Sequence, residues 1–73
     1  MPKLPVISTR EFVRVLLRVG FLLARQSGSH AIYERSDGRF ANVPMHSGDI
    51  PPGTLRTILK TTGLTAEELR ERL

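Results

Sequence analysis

The sequence predicts an α+β domain in two layers, a three-stranded antiparallel sheet covered by helices. Three observations carry this expectation. Apolar residues recur at helical spacing up to Gly20, then fall into short runs separated by Gly-containing corners, and return to helical spacing after Pro52. A sheet of three strands needs one covered face to be stable, and two flanking helices can supply the cover.

The opening "MPKLPVI" reads as a short lead-in, because its two prolines lack donors and disfavour helix. "STREFVRVLLRVGF" then reads as a helix. Ser8 is a good N-cap, and Glu11 three residues later completes a capping-box pattern. Phe12, Val15, Leu16 and Val19 form the apolar stripe, and Gly20 is a natural stop. Arg10, Arg14 and Arg18 fall at i, i+4 and i+8, which makes one basic ridge along this helix.

"FLLARQ" is the first strand candidate, closed by the corner Ser27-Gly28-Ser29. "HAIYER" is the second, with Ile32 and Tyr33 favouring extended backbone. Asp37-Gly38 is the strongest hairpin signal in the chain. "FANVPM" is the third strand, with Pro44 near its end because proline cannot donate to a ladder. A two-residue turn at Asp37-Gly38 places Ile32 opposite Val43, Tyr33 opposite Asn42 and His30 opposite Met45. It also puts His46 on the face away from His30. "HSGDIPPG" is a loop. "TLRTILKTTG" is a second helix, with Leu55, Ile58 and Leu59 inward, Asp49 or Thr54 as its cap, and Gly63 at its end. "LTAEELRERL" is a short last helix with a Thr65–Glu68 capping box. The order is that of double-stranded-RNA-binding domains: an α-β-β-β-α two-layer sandwich with a short C-terminal helix. The chain is expected to form one domain over residues 1–73.

Composition narrows the function. A domain of 73 residues buries roughly 60 % of its unfolded surface, so its stability is marginal. A secreted domain this small usually carries disulfides, and this chain has no cysteine, which points to the cytoplasm. Its longest apolar runs are too short to cross a bilayer. Two histidines and scattered carboxylates make a poor metal site, and no cofactor is expected. Eleven Lys and Arg against seven Asp and Glu leave a net charge of +4. The isoelectric point is near 10.7, which suits a polyanionic partner, nucleic acid ahead of a membrane surface. Solubility alone also accounts for such a charge.

"GF" followed by "RQSGSHAIY", then "VPMH", then "GTLRTILKTTGL" resembles the HicA (YcfA-like) family of toxins from type II toxin–antitoxin systems, over about residues 8 to 70. The resemblance rests on Gly28-Ser29-His30 and on Gly53-Thr54-Leu55 with Ile58, Leu59 and Gly63 at their spacings. It implies a small endoribonuclease that cleaves mRNA, a HicB-type antitoxin as partner, and His30 as the catalytic histidine. Ala31 departs from the pattern, since many members carry a second histidine or another polar residue there.

The chemistry fits an imidazole at position 30. RNA is cut without metal when a base takes the 2′-hydroxyl proton and the oxygen attacks the adjacent phosphorus, leaving a 2′,3′-cyclic phosphate and a 5′-hydroxyl. Imidazole titrates at about 6.5 when unperturbed, close to working pH. Charge on the phosphorane must also be stabilised. Arg25, Arg39 and Lys60 are the candidate cations. The Ser27-Gly28-Ser29 corner is a candidate phosphate cradle through backbone N–H groups and the Ser29 hydroxyl. His46 is a candidate second RNA contact or general acid. Tyr33 and Phe40 are candidates for base stacking. The Arg10, Arg14 and Arg18 ridge is a candidate surface for RNA or antitoxin. Each has a plain alternative: a loop-bonded histidine, a packed aromatic ring, a solvated helix face. The runner-up function is a non-enzymatic RNA-binding module of the same fold, and the third is a protein-interaction domain.

Overall fold

The computed structural model describes residues 4–46 and 48–73. The first three positions of the expected lead-in, and Ser47 in the expected loop, lie outside the described residues. The order is α1 (Thr9–Arg18), β1 (Leu22–Ser27), β2 (His30–Glu34), β3 (Phe40–Pro44), α2 (Pro52–Thr62) and α3 (Ala66–Glu71). The strands form one antiparallel sheet in the order β1-β2-β3. This is the α+β layout expected from the sequence.

Local chemistry starts and stops the helices where the sequence says. The Ser8 side chain accepts from the Glu11 N–H at 3.1 Å, and the Glu11 carboxylate accepts from the Ser8 N–H at 3.1 Å. Thr65 and Glu68 repeat the arrangement at α3. Gly63 ends α2 in the left-handed conformation, with φ +75°. The start of α2 differs from expectation. Pro51 is its N-cap and no side chain caps it. Pro52 at the first turn has no N–H to satisfy, which reduces the need for a cap. Asp49 instead lies in a backbone bridge with Ser8.

Alternation sorts the sheet into two faces. Ala31, Tyr33, Ala41 and Val43 are buried and join Phe12, Val15 and Leu16 of α1 and Leu55, Ile58 and Leu59 of α2 in one core. Tyr33 is only 6 % exposed. Its ring is therefore a packing ring and is not presented to a base, which corrects the stacking candidate. Ile7, assigned to the lead-in, is fully buried in this core, and its carbonyl accepts from the Ile50 N–H at 2.9 Å.

The β2–β3 register is one residue away from the expected one. His30 pairs with Pro44, Ala31 with Val43, Ile32 with Asn42 and Tyr33 with Ala41. The hairpin uses a three-residue loop, Ser36-Asp37-Gly38. The Gly38 N–H donates to the Arg35 carbonyl at 3.0 Å, and the Arg35 N–H to the Arg39 carbonyl at 2.9 Å. Gly38 has φ +93°, the left-handed third residue that this loop length requires. The slip matters because cross-strand partners share a face. The observed pairing stacks apolar on apolar over the core, whereas the two-residue turn would put Asn42 on the face of Tyr33.

The turn is held by charge. The Arg35 guanidinium donates to Asp37 Oδ2 at 2.7 and 3.0 Å and to the Val19 carbonyl at 3.2 Å, and it lies 5.0 Å over the Phe21 ring. The hydrogen bond from Arg35 lowers the Asp37 pKa from 3.8 to about 2. A lowered folded-state pKa stabilises the fold above the unfolded value, and that contribution is lost as pH falls from 3.8 towards 2. Carbon-detected NMR of the Asp37 carboxyl is expected to give a midpoint near 2, and a midpoint at the ordinary value would deny the ion pair. At Gly63 an added Cβ would lie 2.5 Å from the Arg39 guanidinium and would be forced into positive φ. Gly63→Ala is therefore expected to lower unfolding free energy by at least about 1 kcal/mol in urea titration.

Candidate functional site

The face of the sheet opposite the core is where the candidate chemistry gathers. A groove of about 530 Å³ runs between this face and α2. The sheet contributes His30, Phe40, Asn42 and Pro44, the following segment contributes His46 and Pro51, and α2 contributes Thr54, Thr57, Ile58 and Thr61.

His30 opens β2 because Gly28-Ser29 is a two-residue turn closed by the pair Ser27–His30. Gly28 has φ +57° and Ser29 does not have positive φ, the pattern of a type II′ hairpin turn. The Ser29 carbonyl accepts from the Met45 N–H, so the turn is also tied to β3. The imidazole is exposed, and its Nδ1 lies 3.2 Å from Asn42 Oδ1. Asn42 stands two residues along β3 from Pro44, the direct partner of His30, and is therefore its diagonal neighbour on the same face. The sequence alone does not mark it as a site residue. Its signal there is small: an Asn in the middle of a strand, a position that favours branched or aromatic residues.

A bulge brings a cation to this face. In β1, Leu22 and Leu23 pair with Glu34 and Tyr33, but Arg25 pairs with Ile32, leaving Ala24 as the extra residue. Without the bulge Ala24 would stand opposite Ile32 and Arg25 would point to the other face. With it, Arg25 shares the face of Ile32 and His30. It is the diagonal neighbour of His30, at a separation of about 7–8 Å typical of such pairs. Bulges commonly re-aim a side chain in this way.

His46 lines the same groove as His30, which corrects the expectation that it faces away. The expected register set that orientation, and the register is the part that shifted. The segment carrying His46 is anchored on both sides: the Met45 N–H donates to the Ser29 carbonyl, and the Gly48 carbonyl accepts from the Thr9 N–H at 3.2 Å. A second hollow joins His46 to Arg10 at the start of the basic ridge. Arg14 and Arg18 continue the ridge along the exposed side of α1, and Arg18 reaches the Arg72 carbonyl at 3.5 Å.

Two candidate cations are not gathered here. Arg39 is at the hairpin end of the sheet, roughly 16 Å along β2 from His30. It pairs with Asp37 at 3.5 Å and lies against Gly63. Lys60 is exposed on α2 and is not part of the groove wall. Phe40 remains accessible, 43 % exposed at the mouth of the groove. Among the described residues no group of three or more His, Cys, Asp or Glu is placed to hold a metal ion, and no helix is long and apolar enough to cross a membrane.

An imidazole, a paired amide and an arginine on the open face of a double-stranded-RNA-binding-like domain define a small α+β protein with a polar surface site. The family model described as HicA toxin of bacterial toxin–antitoxin matches residues 9–64, most of the chain. The chain therefore belongs to the HicA toxin family, the toxins of toxin–antitoxin systems. No curated protein sequence matches it.

The ridge gives a test of partner binding. Replacing Arg10, Arg14 and Arg18 together by Gln is expected to weaken binding of RNA or antitoxin. The salt slope of RNA binding should fall by roughly 0.7 for each phosphate that is no longer neutralised. Fluorescence anisotropy across a salt series measures both, and unchanged values for both partners would make the ridge a solvated face only.

Proposed function

We propose that this HicA-family toxin is an endoribonuclease that cleaves mRNA, with His30 as general base. The observation that carries the reading is the exposed His30 imidazole, braced by Asn42 through Nδ1 and lining the groove. His30 takes the 2′-hydroxyl proton, the 2′-oxygen bonds to phosphorus, and the bond to the 5′-oxygen breaks. The products are a 2′,3′-cyclic phosphate and a 5′-hydroxyl. Arg25, brought to the same face by the bulge, is assigned to the charge that grows on the phosphorane oxygens. The Ser27-Gly28-Ser29 turn contacts the adjoining phosphate. Phe40 offers a face to a splayed base. Arg39 and Lys60 are given no part at the scissile phosphate, because neither stands beside His30.

The proton for the leaving 5′-oxygen comes from water or from His46. The two sources differ in the pH profile, because an acid of fixed pKa adds a basic limb that His46→Ala removes. The proposed partner is a HicB-type antitoxin that covers the His30 face, with acidic groups to match the basic surface. The cytoplasm, where mRNA is found, is the proposed location.

His30→Ala is expected to abolish growth arrest and to slow cleavage by about 10²- to 10⁴-fold, the usual range for a general base. Its stability should change by no more than about 0.5 kcal/mol, because the ring is exposed. Cleavage should persist in EDTA and should be lost at acidic pH, since a protonated ring cannot accept the 2′-hydroxyl proton. His46→Ala is expected to lose less. A folded His30→Ala protein cutting RNA at the wild-type rate would favour the non-enzymatic RNA-binding module instead. Arg25→Gln is expected to lower kcat more than it raises KM, as removal of a charge used in the transition state does.

A further inference from the structure

The pairing of His30 with Asn42 determines which imidazole nitrogen can do the chemistry. An imidazole has two nitrogens, and in the neutral ring only one carries a proton. A carbonyl oxygen beside Nδ1 accepts a hydrogen bond and cannot donate one. It therefore favours the proton on Nδ1 and leaves the lone pair on Nε2. The charged ring carries protons on both nitrogens, so the same hydrogen bond survives when Nε2 gains a proton. The opposite arrangement, with the Asn42 amide donating to a bare Nδ1, would put the neutral ring's proton on Nε2. That ring could not accept a proton at Nε2.

Among the described residues no other contact accounts for Asn42. It is exposed, so it fills no space in the core. Its backbone partner is Ile32, which offers its side chain no hydrogen bond, and the direct partner of His30 is Pro44, whose ring cannot bond the imidazole. The approach to His30 Nδ1, at 3.2 Å, is the hydrogen bond that the Asn42 side chain makes among the described residues.

We propose that Asn42 is a positioning residue that holds His30 in the Nδ1–H tautomer, with the Nε2 lone pair facing the RNA 2′-hydroxyl. This rests on the reading of His30 as general base. Asn42 does not touch the substrate. It fixes the ring's orientation and tautomer before RNA arrives, and it keeps both through the proton transfer.

The test reads the tautomer directly. Long-range ¹H–¹⁵N NMR of the labelled, RNA-free protein, at alkaline pH where the ring is neutral, is expected to show protonated Nδ1 and bare Nε2. In Asn42→Ala the Nε2–H form preferred by free imidazole should dominate. Its kcat should fall by about 10- to 100-fold, the usual scale when an orienting partner of a working histidine is removed, while KM stays within about twofold. Asn42→Asp keeps an acceptor, so the Nδ1–H tautomer should return. Its carboxylate favours the charged ring and should move the acidic limb of the pH–rate profile to higher pH. Among the described residues the charged or titratable groups sharing this face are Arg25 and Glu34 by register and His46 from the segment after β3, and the α2 residues lining the groove carry none. All are present in both proteins, so the difference between the two profiles reports position 42. An Nε2–H ring in the wild type, or an Asn42→Ala protein with wild-type tautomer and kcat, would overturn this inference and leave the function of His30 standing. Wild-type cleavage by His30→Ala would overturn both.

Discussion

The pairing of β2 with β3 is the constraint on which the site depends. One residue of slip would exchange the faces of every side chain on β3 relative to β2. His30 and Asn42 meet because Ile32 and Asn42 are partners, and they are partners because the hairpin closes through three residues. Arg35 secures that closure. Its guanidinium joins Asp37 in the turn, the Val19 carbonyl at the end of α1, and the ring of Phe21. The hairpin end of the sheet therefore sets the geometry of the end that carries His30.

Local signals are legible in the sequence, and those that depend on distant pairing are not. Both capping boxes, the apolar stripe of α1, the inward set of α2 and the stop at Gly63 follow from residues within a few positions of one another. His30 is legible through its corner. Asn42 is not, because its role exists only once the register is known. Asp37-Gly38 marks the hairpin correctly but not its length: a two-residue and a three-residue loop both use this dipeptide. The expectation for His46 turned it to the wrong side for the same reason. The bulge at Ala24 has no glycine to announce it, so the sequence names Arg25 as a cation without assigning it to a face.

The two faces of the sheet divide the work by composition. The inner face is built from Ala31, Ala41 and Val43 with one large ring, Tyr33, all buried in the core shared with α1 and α2. The outer face carries His30, Ile32, Asn42 and Phe40 and takes α2 only along its β3 border. Close packing tolerates little change in volume, so the inner face is constrained by shape. The outer face is constrained by hydrogen bonding and charge.

That division has a consequence for how such a toxin can lose its activity. The side chains proposed to act on RNA contribute little to burial, and those that hold the fold are turned inward. A lesion on the outer face would leave an inert but well-formed protein, one that still presents most of its surface to an inhibitor and can titrate it. A lesion in the core would remove poison and decoy together. In a cell that holds toxin and inhibitor in balance, the first kind of loss releases fresh toxin from its inhibitor, and the second does not.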